Sequence, residues 1–377
     1  MSIPDKINNF RKDPVDYALD GGLSIVAAGE TGNKITADEL AGRSAEVNAK
    51  IGQNNEPEKI TINLDDEKQL VGHLFNRGVS DDLIIYNYMW NGNYGEEKGK
   101  GPSSEQHEAE YLAAAFPDKQ LLFINQPGFG GSSELPTNIA KQIAKTGDYA
   151  PLGEYIGERL RDHLKNELGH LAVLAIYGGS MGALRASSYA EKLTDIADEI
   201  RVGLVDPTGS RKFSLLGLAF DYALKEGIHT AGYRQHADNI DRVSADKRKE
   251  SAKLTNFMRD KVFRKKSNDK PKERSNMFSY VRGLTRGSLR KNLENLRGLN
   301  RRGDRVDMYS LGRSEISDNS KMAEIANDLK NQGQNINHHT IPDVTHAFAK
   351  GKPVVDETLI RRLFEDVKPG ENGKIES

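Results

Sequence analysis

The sequence predicts an α/β fold, a mostly parallel sheet with helices on both faces. Short apolar runs alternate with helical stretches from residue 59 to residue 367. Several of those runs are apolar almost throughout, as strands covered on both faces must be. The length of 377 residues, 36% of them hydrophobic, suits one large domain with an insertion, or two modest ones.

The elements follow in order. Residues 1–55 are polar, with Gly-rich and Asn-rich patches, and read as an N-terminal extension. Within it a helix is predicted over 36–51, where Thr36 precedes an Asp-Glu pair and an Ala-rich run. Residues 59–64 (KITINL) alternate as a strand, Asp65-Asp66 is a turn, and 69–75 (QLVGHLF) is a second strand. The run 83–89 (LIIYNYM) reads as a buried strand, and 104–116 as a helix with Ser103 or Ser104 as N-cap and acids in its first turn. A short strand over 121–125 precedes an amphipathic helix over 152–168, with Leu152, Tyr155, Ile156, Leu160, His163 and Leu164 at helical spacing. The clearest buried strand, 171–177 (LAVLAIY), runs into a small-residue helix over 183–193, and 201–205 is a further strand. Later come a strand at 305–311, a helix at 322–330, a strand at 336–341 and a terminal helix at 355–367. The expected division is a core of 56–207 and 304–377, with 208–303 inserted as a basic helical module.

Composition excludes several function classes. There are no cysteines, which removes disulfides, thiolate nucleophiles and Cys-based metal sites. The first residues have no apolar run of the signal-peptide kind, and no stretch approaches 18 apolar residues, so a soluble cytoplasmic protein without a membrane span is expected. The net charge is −1, from 54 Lys and Arg against 55 Asp and Glu. It is uneven: residues 242–305 hold 21 Lys or Arg and 7 Asp or Glu, which marks a separate surface.

The strongest chemical signal is Gly178-Gly179-Ser180-Met181-Gly182, a G-x-S-x-G between the best strand and a helix. A serine on such a turn projects its hydroxyl from the sheet edge. The Met181 N–H, opening the helix, points to a developing oxyanion. A serine nucleophile needs a base. His346 lies just after the last strand and before the last helix, on the edge where α/β sheets bind ligands. His338 and His339 fall within the strand and read as structural. The acid that orients the imidazole has three candidates. Glu315, on the loop after 305–311, is the first choice; Asp318 on the same loop and Asp206, after 201–205, are the alternatives. Each gives the chain order serine, acid, histidine.

On these residues the chain resembles the α/β-hydrolases over roughly 59–367. Asn125-Gln126-Pro127-Gly128-Phe129-Gly130-Gly131-Ser132 resembles that family's D-x-P-G-x-G-x-S loop, with Asn125 in place of Asp. Gln126 and the Gly-Gly-Ser elbow are similar to the proline-iminopeptidase-like branch. Asn91-Gly92-Asn93-Tyr94-Gly95 stands where the family carries H-G-G-x-G or H-G-x. The resemblance therefore implies a second oxyanion donor near Asn93, or near Trp90 in a slipped register. It also implies that 208–303 is a cap inserted after the sixth strand. The apolar stripe Phe213, Leu215, Leu216, Leu218, Phe220, Tyr222 and Leu224 would roof a pocket.

The expected activity is cleavage of a carboxylic ester or thioester through an acyl group on Ser180, with no metal or organic cofactor. The Gln126 resemblance offers an amidase or aminopeptidase instead. An exopeptidase needs a buried anion for its substrate amine, and a strongly basic cap argues for anionic esters. A third reading is an idle hydrolase fold that binds partners through the basic cap. Nucleic acid is disfavoured because few aromatics interleave the basic run.

Overall fold

A computed structural model describes residues 23–27, 33–52, 56–89, 94, 96–97, 101–102, 104–214, 217–218, 282–342, 344, 346 and 353–365. Chain order begins with strands β1 (Leu23–Ala27) and β2 (Asn33–Ile35) and helix α1 (Ala37–Lys50). Next come β3 (Glu58–Asn63), β4 (Gln69–Phe75), β5 (Asp82–Asn87) and the two-residue pair β6 (Glu96–Glu97) and β7 (Gly101–Pro102). Then follow α2 (Ser104–Ala115), β8 (Gln120–Ile124), α3 (Thr137–Thr146), α4 (Ala150–Leu168), β9 (Leu171–Gly179), α5 (Met181–Tyr189) and β10 (Ala197–Val205). The last described elements are α6 (Leu289–Glu294), β11 (Arg305–Leu311), α7 (Asn319–Asn331), β12 (Ile336–Ile341) and α8 (Pro353–Phe364). No helix among the described residues is long and apolar enough to cross a membrane.

Among the described residues ten strands form one sheet in the order β2-β1-β12-β11-β10-β9-β5-β8-β4-β3. The six from β12 to β8 are parallel; β4, β3 and β1, β2 add antiparallel flanks. Alternation along each strand sends its apolar side chains to two faces. Leu174 and Ile176 join Leu152, Leu160, Met181 and Leu293 on one face. Ala175 and Tyr177 join Leu40, Leu112, Val355 and Leu359 on the other. Helices α3 to α7 thus cover one face, and α1, α2 and α8 the other. From β5 the chain turns outward to β8, then returns past β5 to β9. In sheets of this kind, the crevice outside the carboxyl ends of the strands at such a reversal, here β5 and β9, is where ligands bind.

Two sequence-based boundaries move. The segment 1–55, read as an extension, contains part of the core. β1 pairs antiparallel with β12 (Val26 opposite Thr340), and Leu23, Ile25, Leu40 and Val47 are buried. A capping box starts α1: the Glu39 N–H donates to Thr36 Oγ1 at 3.2 Å, and the Thr36 N–H donates to Glu39 Oε2 at 2.7 Å. The alternation that betrays a strand is too short in β1 and β2 to stand out. The inserted module 208–303 also shrinks. The Leu289 N–H donates to the Gly209 carbonyl at 3.0 Å and the Phe213 N–H to the Thr285 carbonyl at 3.0 Å, so the outgoing and returning chains pair. Leu289, Leu293, Leu296 and Leu299 are buried in the core. The rest of that module, including the charge run at 242–274 and the stripe residues Leu215, Leu216, Phe220, Tyr222 and Leu224, lies outside the described residues.

One polar cluster is buried between α2 and α8. Tyr86 Oη lies 2.5 Å from Glu108 Oε1 and 3.2 Å from Asp356 Oδ2, and the Tyr177 hydroxyl donates to Asp356 Oδ1 at 2.5 Å. Burial, and then the Asp356 charge, push the Glu108 carboxyl well above the ordinary range; burial lifts Asp356 to about 6.

Candidate active site

Ser180 sits on the turn between β9 and α5 with φ 54° and ψ −119°, a conformation few non-glycine residues adopt. The neighbouring glycines explain why the chain can turn here. A Cβ on Gly178 would lie 2.6 Å from the Gly182 carbonyl carbon, and one on Gly182 would lie 2.7 Å from the Tyr88 carbonyl oxygen. The helix therefore starts in direct contact with both its own strand and the end of β5. Met181 is the first residue of α5, and the N–H groups of a helix's first turn lack intrahelical acceptors.

His346 follows β12 and reaches back across the crevice. Its Nε2 lies 2.9 Å from Ser180 Oγ and its Nδ1 2.5 Å from Asp206 Oδ2. A carboxylate only accepts, so the imidazole donates Nδ1–H to Asp206 and keeps Nε2 free to accept the serine hydroxyl. All three groups are buried: Ser180 is 7% exposed, His346 4% and Asp206 1%.

The carboxylate that meets His346 is thus Asp206, an alternative from sequence, and not Glu315, the first choice. Both imidazole nitrogens are accounted for by Ser180 and Asp206. The sheet gives the reason. β10 is the immediate neighbour of β9, with Val205 opposite Gly179, and the Ser180 N–H donates to the Val205 carbonyl at 2.8 Å. Residue 206 is therefore beside the serine, one strand spacing of about 4.8 Å away, whereas the loop after β11 starts two spacings away. Asp206 has φ 43°, and its N–H donates to the Tyr309 carbonyl at 2.6 Å, which turns its side chain over the sheet edge. Glu315 is tied down through its main chain, its carbonyl accepting from the Arg211 guanidinium. Asp318 caps α7, its Oδ1 accepting from the Lys321 N–H at 3.0 Å. The sequence already offers Asp206 as an alternative, because an acid directly after a buried strand and before Pro207 stands at the sheet edge.

Of the other expected groups, Asn93 and Trp90 lie outside the described residues. Asn125 works as a brace. Its Oδ1 accepts from the Tyr94 N–H at 2.8 Å and its Nδ2 donates to the Gly130 carbonyl at 2.9 Å, joining the loops after β5 and β8. An aspartate could make only the first of these bonds. His338 and His339 are structural: His338 Nε2 lies 3.0 Å from Ser310 Oγ and His339 Nε2 3.5 Å from Asp307 Oδ1.

No protein-family model and no curated protein sequence matches the chain. Solved structures do. The 2-hydroxy-6-oxo-6-phenylhexa-2,4-dienoate hydrolase from Rhodococcus sp. strain RHA1 superposes with a TM-score of 0.52 at 14% identity, over 82% of this chain and 99% of that one. The enol-lactonase from Burkholderia xenovorans LB400 gives 0.47 at 17% identity, over 80% and 98%. The strand order, the serine turn after β9 and the first of these superpositions agree: the chain has the α/β-hydrolase fold.

Proposed function

We propose that the protein is a serine hydrolase that cleaves a carboxylic ester or thioester through an acyl-enzyme on Ser180. The observation that carries this reading is the buried line Ser180 Oγ, His346 Nε2, His346 Nδ1, Asp206 Oδ2, with spacings of 2.9 and 2.5 Å. In that mechanism Ser180 Oγ attacks the substrate carbonyl while Nε2 takes its proton. Asp206 holds the Nδ1–H tautomer and stabilises the imidazolium. The Met181 N–H faces the oxyanion. The imidazolium then protonates the departing alcohol or thiol. Water, deprotonated by the same nitrogen, releases the acid and restores the serine.

The substrate class follows from the insertion. The chain leaves the core at Thr208, two residues after Asp206, and returns at 282–288 beside that exit. The excess of Lys and Arg over residues 242–305 is the sequence feature that favours substrates carrying negative charge.

Labelling with a fluorophosphonate probe tests the reading. Strong labelling of the native chain, absent in Ser180→Ala and at least hundredfold slower in His346→Ala, is expected. A folded native chain that does not label refutes it and favours a binding role for the same fold.

A further inference from the structure

The end of β5 and the residue after it, Asn87 and Tyr88, lie against α5 as well as the sheet. β5 pairs with β9 and β8 only as far as Asn87. The carbonyl of Tyr88, one residue further, receives the guanidinium of Arg185 instead. Arg185 is 3% exposed and stands one helical turn after Met181. One turn further along, Tyr189 Oη lies 2.6 Å from Asn87 Nδ2 and 2.9 Å from Asn87 Oδ1, and Asn87 Nδ2 also reaches the Tyr177 carbonyl at 3.3 Å. At the other end of this row, Gly182 leaves its Cβ space to the Asn87 and Tyr88 carbonyls. Positions 182, 185 and 189 share one stripe of the helix, and all three bear on the last two residues before the loop. The next residue, Met89, packs its side chain on Gly179, beside the nucleophile.

We infer that Arg185 is a positioning residue: with the Asn87–Tyr189 pair it fixes the end of β5 against the first turn of α5 and so sets the oxyanion side of the crevice. This rests on the serine-hydrolase reading above. A guanidinium is always charged and its bond to a carbonyl is charge-assisted, so it holds that carbonyl more firmly than a neutral donor would.

The test compares the native chain with Arg185→Met, Arg185→Lys and Tyr189→Phe. The readouts are p-nitrophenyl butyrate hydrolysis, inhibition by an alkyl trifluoromethyl ketone, which forms an oxyanion on the serine, and thermal melting. Loss of one well-placed donor's geometry predicts a fall in kcat of about 100-fold for Arg185→Met. KM should stay within about threefold, the inhibitor should weaken in step with kcat, and the pH midpoint should not move. Arg185→Lys should recover part of the loss, and Tyr189→Phe should show the same pattern more weakly, about fivefold. A folded Arg185→Met chain with native kcat and inhibitor affinity overturns the inference, even if its melting point falls. If Arg185→Met does not fold, native kcat and inhibitor affinity in Tyr189→Phe overturn it. If the native chain itself shows no Ser180-dependent turnover, the hydrolase reading fails and this inference with it.

Discussion

Replacing Asp356 with asparagine should make the protein's stability less sensitive to pH. Asp356 is fully buried, and burial raises its carboxyl to about 6, against about 3.9 in an unfolded chain. The sign follows from proton counting. Between those two values the folded chain binds a proton that the unfolded chain has released, so stability falls as pH rises. The contribution is complete below about pH 4 and gone above about pH 6. Two pK units correspond to about 3 kcal/mol. An asparagine keeps an oxygen for the Tyr177 hydroxyl and an N–H₂ for the Glu108 carboxyl, but carries no charge to desolvate. Urea unfolding of both chains at pH 4.5, 5.5, 6.5 and 7.5 gives the difference directly. The variant should gain on the native chain by about 2 kcal/mol or more across that range. A difference flat to within about 1 kcal/mol would show that burial does not raise the Asp356 carboxyl.

Three further outcomes are expected. Asp206→Asn should lower kcat by about 10³ to 10⁴ with little change in KM, because the imidazole loses its tautomer, whereas Glu315→Gln should stay within about threefold; steady-state ester hydrolysis separates the two, and the reverse ranking would return the acid to the loop after β11. Gly182→Ala should cost about 1–3 kcal/mol and abolish fluorophosphonate labelling, since its methyl group meets main-chain oxygens that cannot yield; a melting curve and label uptake equal to native would contradict the close approach. Thr36→Ala should cost about 1 kcal/mol and lower the melting point of the whole chain, because α1 packs into the core; an unchanged curve would mean that the first helix melts separately.

The legible parts of the fold are those with a clear pattern: a nearly continuous apolar run in β5 and β9, strict alternation in β3, and a capping box with an Ala-rich run in α1. LAVLAIY and LIIYNYM read as strands because both faces of β9 and β5 are covered, and the structure extends the first by two glycines. The serine was legible because its turn requires glycines at fixed offsets. The acid was harder, because identity depends on which strands are neighbours. Chain order separates residues 180 and 206 by β10, yet the sheet sets them side by side. Helix α3 was missed although Ile139 and Ile143 lie one turn apart between Pro136 and the left-handed Gly147. Its buried stripe is only Ile139, Ala140 and Ile143, and most of the rest is polar. β1 was missed because five residues (LSIVA), paired with a three-residue β2, leave too short an alternation to read.

The antiparallel addition of β1 also bears on how the protein stays dispersed. Without it, β12 would be a six-residue strand with unpaired main-chain groups along one side, an open template for another chain. β1 takes that side, and beyond it, among the described residues, the sheet ends at β2 with three residues, Asn33, Lys34 and Ile35. The opposite border, β3, presents Glu58, Lys59, Thr61 and Asn63 to solvent. Both margins are thus short or charged, which discourages edge-to-edge stacking. A chain trimmed at residue 55, where composition suggests the domain begins, would lose this guard on the strand that leads to His346. It would be expected to self-associate before it lost its nucleophile.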